Sequence, residues 1–417
     1  MTRLDRWLDA KQGQVYRYKM DKVQYALDLL GHPEKDLPVV HVAGTNGKGS
    51  TIAFLHRLLV AQGFRVGTFV SPHMVTVHDR ICINGQPISE VTFQELLEKI
   101  FNLEQEVERK YEPFRYFEVL TLLMFLHFKE QNLDFALIEV GIGGLLDTTN
   151  VVNPLVTVIT SIGLDHQDLL GYHLEDIAEQ KAGIVKLQVP LLVGPLPASA
   201  IEICRRKAEA LQAPIYCEGQ DFSLENGLFT NRAQSIDDIR LGLVGQHQKE
   251  NAALALQVFS LLMEARNLPV DSRMVRHALA TTSWVGRLEK VGQQGRIYLD
   301  GAHNLPAIER LVDFIQSQSD VQPMILFSAL KRKDFREMLA YIEKRLPQAT
   351  LVLTSFAYDG GIEEIDCPEE LRYEADYERF IQEWEINAEA DEVLFITGSL
   401  YFISEVRNYF QKRGNTL

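Results

Sequence analysis

Cysteine is scarce and scattered. Four occur in 417 residues, at Cys82, Cys204, Cys217 and Cys367, with no CxxC pair and no metal-ligand spacing. That sets aside a disulfide framework and a zinc module, and leads us to expect reduced thiols in a cytoplasmic protein. Long apolar runs are also missing: none reaches the roughly 18–20 residues that span a bilayer. Met1-Thr2-Arg3-Leu4-Asp5-Arg6 lacks the apolar segment of a secretory signal, so no membrane partner is expected. Basic charge is in deficit, with 42 Lys and Arg against 57 Asp and Glu and a net charge of −15. Such a field disfavours nucleic acid and anionic membrane surfaces. Anionic small molecules can bind only where a few placed cations or metal ions override it. Repeats and low-complexity segments are absent.

What is present begins with ordinary globular composition, 46% hydrophobic and 24% charged, over a length that suits two or three domains. The stretch around which the rest is organised is Val39-Val40-His41-Val42-Ala43-Gly44-Thr45-Asn46-Gly47-Lys48-Gly49-Ser50-Thr51. An apolar strand enters a glycine-rich loop and a helix leaves it. Glycines let backbone N–H groups close on an anion, and the helix N-terminus adds positive partial charge. Lys48 suits the β/γ-phosphates, and Ser50 or Thr51 suits Mg2+. The spacing departs from the general P-loop: two residues, not four, separate Gly44 from Gly47-Lys48, and Gly49 intervenes before Ser50.

Residues 1–37 read as two helices, 64–70 as a second strand, and the intervening Ser50–Gln62 as a helix ended by Gly63. This is a β-α-β unit, so a mostly parallel sheet is expected. Residues 71–92 form a long irregular stretch holding His73, His78, Asp79 and Arg80. Helical patterns follow at about 92–110 and 116–131. The strand 135–138 then runs into Glu139 and Gly141-Ile142-Gly143-Gly144. A carboxylate ending a buried strand is placed for metal binding in a nucleotide enzyme. Asp147, Thr149 and Asn150 complete a polar turn. Another strand, 156–160, ends in Ser161-Ile162-Gly163-Leu164-Asp165-His166, where His166 reads as a ligand. On spacing alone, Lys181 reads as a solvated helix-end lysine.

Residues 187–245 read as strand–helix–strand with a β-rich tail, and Gly245-Gln246-His247-Gln248 precedes a long apolar helix. Gln293-Gln294-Gly295 reads as a linker. We expect domains at 1–292 and 296–417, the second a smaller α/β unit with strands at 296–300, 322–328, 350–354 and 392–397. The run Lys331-Arg332-Lys333 is either a placed positive patch or a solvated helix start.

Several motifs in this order resemble the folylpolyglutamate synthase/dihydrofolate synthase family of the Mur ligase superfamily. They are Gly44–Ser50, Ser71-Pro72-His73, Glu139–Gly144, Asp165-His166-Gln167, Glu179–Gly183, Gly245–Gln248 with Asn251, Gly286–Glu289 and Asp300–Asn304. The match covers nearly the whole chain. Val285, Leu145 and Leu305 stand where the pattern differs.

The resemblance implies a P-loop ATPase-type domain plus a Rossmann-like C-terminal domain, with the chemistry between them. It implies an ATP-dependent ligase that adds L-glutamate to a folate or to dihydropteroate through an acyl phosphate. ATP is implied on Gly44, Thr45, Asn46, Gly47, Lys48, Gly49, Ser50 and Thr51, with Gln248, Asn251, Arg287 and Asp300. Two Mg2+ ions are implied on Ser50, Ser71, Glu139 and His166. Lys181 is implied to be carbamylated and catalytic, beside Lys48, His166 and His303. Weaker substrate contacts are His73, Arg80, Asp147, Thr149, Asn150, Ser328, Lys331 and Ser399. The partners expected are small molecules only, for a monomeric cytoplasmic enzyme. The alternative is another Mur-type amino-acid ligase, disfavoured because the phosphate loop begins within about 45 residues of Met1, where a preceding UDP-binding domain would need far more.

Overall fold

The computed structural model describes residues 2–12, 20–319 and 321–414. Part of the expected N-terminal helical pair, residues 13–19, lies outside them. The chain divides into two compact units. The first is 1–242 with 249–282, and the second 243–248 with 283–417.

The first unit is built on strands β1 Val39–Ala43, β2 Val66–Phe69, β3 Ile81–Ile83, β4 Gln86–Pro87, β5 Phe135–Glu139, β6 Val156–Ile159, β7 Leu191–Val193 and β8 Ile215–Cys217. They order as β4-β3-β2-β5-β1-β6-β7-β8. From β2 to β8 the neighbours pair in parallel, while β3 and β4 add an antiparallel hairpin at one edge. That hairpin occupies part of the stretch expected to be irregular. Every residue of β1, β5 and β6 is buried, as parallel strands covered on both faces must be.

The helices of this unit are α1 Arg3–Asp9, α2 Met20–Leu29, α3 Lys48–Ala61, α4 Glu90–Val107, α5 Tyr116–Glu130, α6 Gln167–Leu170, α7 Leu174–Ala182, α8 Ala198–Ala210, α9 His247–Ala265, whose first two residues group with the second unit, and α10 Ser272–Ala280. One apolar core joins α1, α2, α4 and α5 to the sheet. A second joins α7 and α8 to it. A small antiparallel sheet follows, β9 Phe222–Glu225, β10 Leu228–Asn231 and β11 Ser235–Ile236.

The chain leaves β1 toward β2 on one side, while the connection from β5 crosses to β6 on the other. This reversal of direction around β1 is where open α/β sheets leave a crevice at the carboxyl ends of their strands. The loops after β1, β5 and β6 meet there.

The second unit holds β12 Glu289–Val291, β13 Ile297–Leu299, β14 Gln322–Phe327, β15 Thr350–Thr354, β16 Arg372–Glu374 and β17 Glu392–Thr397, ordered β12-β13-β17-β14-β15-β16. All pairs are parallel except β12 with β13. Its helices are α11 Leu305–Gln316, α12 Phe335–Arg345, α13 Tyr377–Asn387 and α14 Leu400–Lys412. Gln293-Gln294-Gly295 is no linker. It turns the antiparallel pair β12/β13 inside this unit, and polar, glycine-ended turns look the same in sequence whether they join strands or domains. Among the described residues no helix is long and apolar enough to cross a membrane.

Candidate active site

The loop after β1 is held from behind by the end of β6. Thr45 N donates to Ser161 O at 2.9 Å, and Asn46 N to Ser161 Oγ at 2.9 Å. Thr160 Oγ1 donates to Asn46 O at 2.6 Å, and Thr45 Oγ1 exchanges hydrogen bonds with Gly163. Close approach explains two glycines. A Cβ on Gly44 would stand 1.9 Å from Thr160 Oγ1, and one on Gly47 2.4 Å from Asn251 Oδ1, with both backbones at positive φ. Gly47 is also the left-handed N-cap of α3. Asn251 thus lies against the helix start, with its Oδ1 also 3.5 Å from Thr51 Oγ1.

Lys48 is not on the open loop. It is the first residue of α3, and its side chain is 15% exposed. Nζ donates to Gly44 O at 2.9 Å and Thr45 O at 3.3 Å. The same ammonium stands 3.7 Å from Glu139 Oε1. Glu139 ends β5 and is buried, and its Oε2 accepts from Ser71 N at 3.3 Å. The structure therefore brings together the loop after β1, the end of β2 and the end of β5. His166 sits after β6 in a left-handed conformation, φ 51°, with its N–H on Asp165 Oδ1 at 2.8 Å.

Lys181 overturns the spacing-based reading. It is 4% exposed, in the last turn of α7. Burial, then the neighbouring charge of Lys48, pushes its ammonium down to about 7, with Asp165 and Asp147 acting in the other direction. The cause is long-range packing that a local pattern does not carry. Gly144 presses on this turn, its would-be Cβ 2.7 Å from Gln180 O and 3.0 Å from Lys181 O, and Leu145 N donates to Gln180 O.

Asp147 and Thr149 are fully buried, and their polar atoms serve the chain itself. Asp147 accepts from Ile142 N, Thr149 N and Thr149 Oγ1. Burial pushes its carboxyl up, and these donors oppose the shift. Because the Thr149 hydroxyl gives its proton to Asp147, it accepts from His41 Nε2 at 2.8 Å. That His41, buried on β1, is held neutral, its pKa pushed down to about 3 by burial. Asn150 Nδ2 bridges Leu145 O and Gly183 O, both at 3.1 Å. These three residues shape the glycine loop beside Lys181. His73 and Arg80 pair, with Arg80 Nε on His73 Nδ1 at 3.0 Å.

In the second unit Asp300 follows β13. Its oxygens accept from Leu288 N and Ala302 N at 3.0 Å. Burial raises its pKa, and the charge of Arg287 opposes this most. Gly301 N bonds Gly286 O at 2.8 Å, which ties two of the motifs together. His303 Nδ1 meets Gly301 O at 2.8 Å, so that nitrogen carries the proton. Gln248 Nε2 lies 3.1 Å from His247 Nε2. Burial and the charges of Arg310 and Arg287 push His247 down to about 4.

The weaker expected glutamate contacts have internal uses. Ser328, fully buried, donates to Thr354 O at 2.6 Å. Ser399 caps α14 by accepting from Tyr401 N. Lys331 is exposed and pairs with Glu363 at 2.7 Å and Asp366 at 3.0 Å. Thr160 and Ser161 support the loop without belonging to any of the motifs. Two hydroxyls at the end of an otherwise apolar strand were the available signal.

Among the described residues no group of three or more His, Cys, Asp or Glu side chains gathers as a metal cage. The donor placed beside Lys48 is the Glu139 carboxylate, with the backbone of Ser71 on its other oxygen and Ser50 two residues along α3. That set suits Mg2+, which keeps water and phosphate ligands and takes one or two carboxylates from protein.

A glycine loop on a lysine-led helix, a strand-end carboxylate beside it and a second α/β unit are the layout that the resemblance to Mur ligases implies. Family models agree: the Mur ligase middle domain matches residues 42–259 and the Mur ligase glutamate ligase domain residues 286–400. A dihydrofolate synthase/folylpolyglutamate synthase of Bacillus subtilis is 35% identical over 421 residues, covering 96% of this chain and 97% of the relative. A folylpolyglutamate synthase of Lacticaseibacillus casei is 32% identical, covering 91% and 92%. Among solved structures, E. coli FolC in complex with DHPP and ADP superposes with a TM-score of 0.87 at 28% identity, over 99% of both chains. Mycobacterium tuberculosis folylpolyglutamate synthase complexed with ADP gives 0.86 at 27%, over 98% and 97%. The chain belongs to the dihydrofolate synthase/folylpolyglutamate synthase family.

Proposed function

We propose that this protein is an ATP-dependent ligase that joins L-glutamate to the carboxylate of a folate, with dihydropteroate as a second acceptor. The observation that carries the reading is the meeting of Lys48, the Ser71 amide and the buried Glu139 at the sheet's reversal point. This is a cation beside a carboxylate, at the mouth of a preformed anion loop.

In the reaction an acceptor carboxylate oxygen attacks the γ-phosphorus of ATP and ADP leaves. The amine of glutamate then attacks the acyl carbon, and phosphate departs as the amine loses its proton. Every participant is anionic, so the work of the protein is charge neutralisation and positioning. The amides of Gly44–Ser50 and the Lys48 ammonium hold the β/γ-phosphates, and Lys48 exchanges its contacts with two loop carbonyls for phosphate oxygens. Thr51 and Asn251 keep the start of α3 in register. In the second unit Arg287 and Asp300 serve phosphate and nucleoside, Gln248 the base, and His303 the nucleotide or the reacting centre.

Glu139, Ser71, Ser50 and His166 are the groups that would hold Mg2+, which supplies further neutralisation of the transferring phosphoryl group when bound. Lys181 suits carbamylation: buried and pushed down to about 7, it keeps a neutral amine available to CO2 near neutral pH. The four cysteines are free thiols, which supports a cytoplasmic setting, and the partners are small molecules acting on a monomer.

The test is ADP release with L-glutamate and, in turn, tetrahydrofolate, dihydropteroate or a muramyl precursor. Release with a folate or pteroate acceptor is the expected result. Release with the muramyl precursor alone assigns the chain to another Mur-type ligation.

A further inference from the structure

Arg80 is a cation to which no described residue supplies a counter-charge. It closes the short turn Val77–Arg80 ahead of β3 and is 6% exposed. Its Nε donates to His73 Nδ1 at 3.0 Å, and its guanidinium lies 5.5 Å from the centre of the Tyr116 ring. His73 brings no charge: its Nδ1 accepts this bond, so that nitrogen carries no proton and the ring is neutral. The nearest acid in sequence, Asp79, is committed to Val75 N, Thr76 N and Thr76 Oγ1. Among the described residues no carboxylate reaches ion-pair distance of Arg80, and its Nη atoms have no acceptor. A guanidinium stays charged under all conditions a protein survives, and burying one without a partner is costly. Features kept against such a cost mark places where a ligand completes the structure.

The position of Arg80 narrows the ligand. Val70 N donates to Arg80 O at 3.0 Å, so Arg80 is the cross-strand neighbour of the residue before Ser71, and such neighbours lie about 5 Å apart. Ser71 is itself on Glu139. On the other side, Tyr116 opens α5, and the next residue, Phe117, lies directly under Gly141. The guanidinium is therefore beside the carboxylate-activating centre and not in it. A terminal glutamate carries two carboxylates separated by roughly 5 Å. One is activated at the Lys48–Glu139 centre, and the other needs a cation one strand away. Dihydropteroate ends in a single carboxylate and has nothing to offer such a cation.

We propose that Arg80 anchors the unreactive α-carboxylate of a glutamate-bearing acceptor through its two Nη groups, and so determines preference for folates over dihydropteroate. This rests on the ligase reading. The bidentate fork suits a carboxylate, and a charge-assisted pair of this kind gives strong discrimination.

The experiment compares tetrahydrofolate with its α-carboxamide, in which only the α-carboxylate is neutralised, on the wild type, Arg80→Gln and Arg80→Lys. The wild type prefers the acid in kcat/KM by roughly 10- to 100-fold. In Arg80→Gln that preference falls to near one, through a raised KM for the acid. Arg80→Lys keeps part of it, as a point charge without the fork. A wild type indifferent to the amide, or an Arg80→Gln with undiminished preference, overturns the proposal. The same pairs are read as protection against thermal unfolding, which needs no turnover. Absent ADP release with every acceptor defeats the ligase reading, while the protection data still decide on Arg80. If Arg80→Gln does not fold, undiminished preference in Arg80→Lys decides against it.

Discussion

The two units end their parallel strands in similar residues and use them differently. After β1, β2 and β5 of the first unit, Lys48, Ser71 and Glu139 converge, with the ammonium shared among two loop carbonyls and a carboxylate 3.7 Å away. After β14 and β17 of the second unit, Ser328 and Ser399 are committed to Thr354 O and to the cap of α14. Asp300 likewise bonds two backbone amides. The first edge keeps charge available for exchange, while Ser328 and Ser399 at the other spend their polar atoms on its shape. Reactive capacity is read from what a side chain is bonded to, and residue type at a strand end does not reveal it.

The sharpest way to break this contrast is Lys48→Ala. We expect ADP formation to fall about a thousandfold, as single-turnover kinetics would record. Stability should also drop, by about 1–3 kcal/mol, because Glu139 is left buried without its cation. Adding Glu139→Gln should restore the melting temperature and leave the enzyme inactive. Normal turnover in Lys48→Ala would end the phosphate assignment.

Lys181→Met follows, with activity down about a hundredfold and no recovery on adding bicarbonate. It also makes a pH prediction in CO2-free buffer. The folded pKa of Lys181 is depressed to about 7 from 10.5, so the folded state binds fewer protons between those values and wild-type stability rises with pH there. The penalty that the substitution removes is on the order of a few kcal/mol below pH 7 and fades toward pH 10.5. A stability difference independent of pH would contradict it.

Asp147→Asn turns an amide NH2 toward groups that are themselves donors. A loss of about 2 kcal/mol is expected in denaturant titration, with reduced kcat because the glycine loop shifts beside Lys181. The smallest effect belongs to the second unit. Ser399→Ala removes a helix cap, costs about 1 kcal/mol and leaves kcat within about twofold. A large kcat loss there would assign Ser399 a substrate contact and weaken the contrast.

The main strands and the glycine loop were legible because buried parallel strands are continuous apolar runs, and because Gly44 and Gly47 occupy backbone positions closed to other residues. What stayed hidden depended on contacts distant in sequence. Lys181 ends its helix as surface lysines do, and the segment of Gly144 and Leu145 that packs on this turn is distant in sequence. The strands β12 and β16, three residues each, are too short to show a period. Arg80 is marked in the sequence only by the family resemblance, as a weaker substrate contact, and its setting between His73 and Tyr116 depends on the fold.

The contact between Gly44 and Thr160 has a consequence for how this sequence can drift. The threonine hydroxyl fills the volume that a side chain at position 44 would need, and it also ties down Asn46. Neither residue can be exchanged by single steps without disturbing the other. In a library randomised at both positions and selected for growth, survivors should retain Gly44 nearly always, and at 160 should favour serine as the replacement that keeps the hydroxyl.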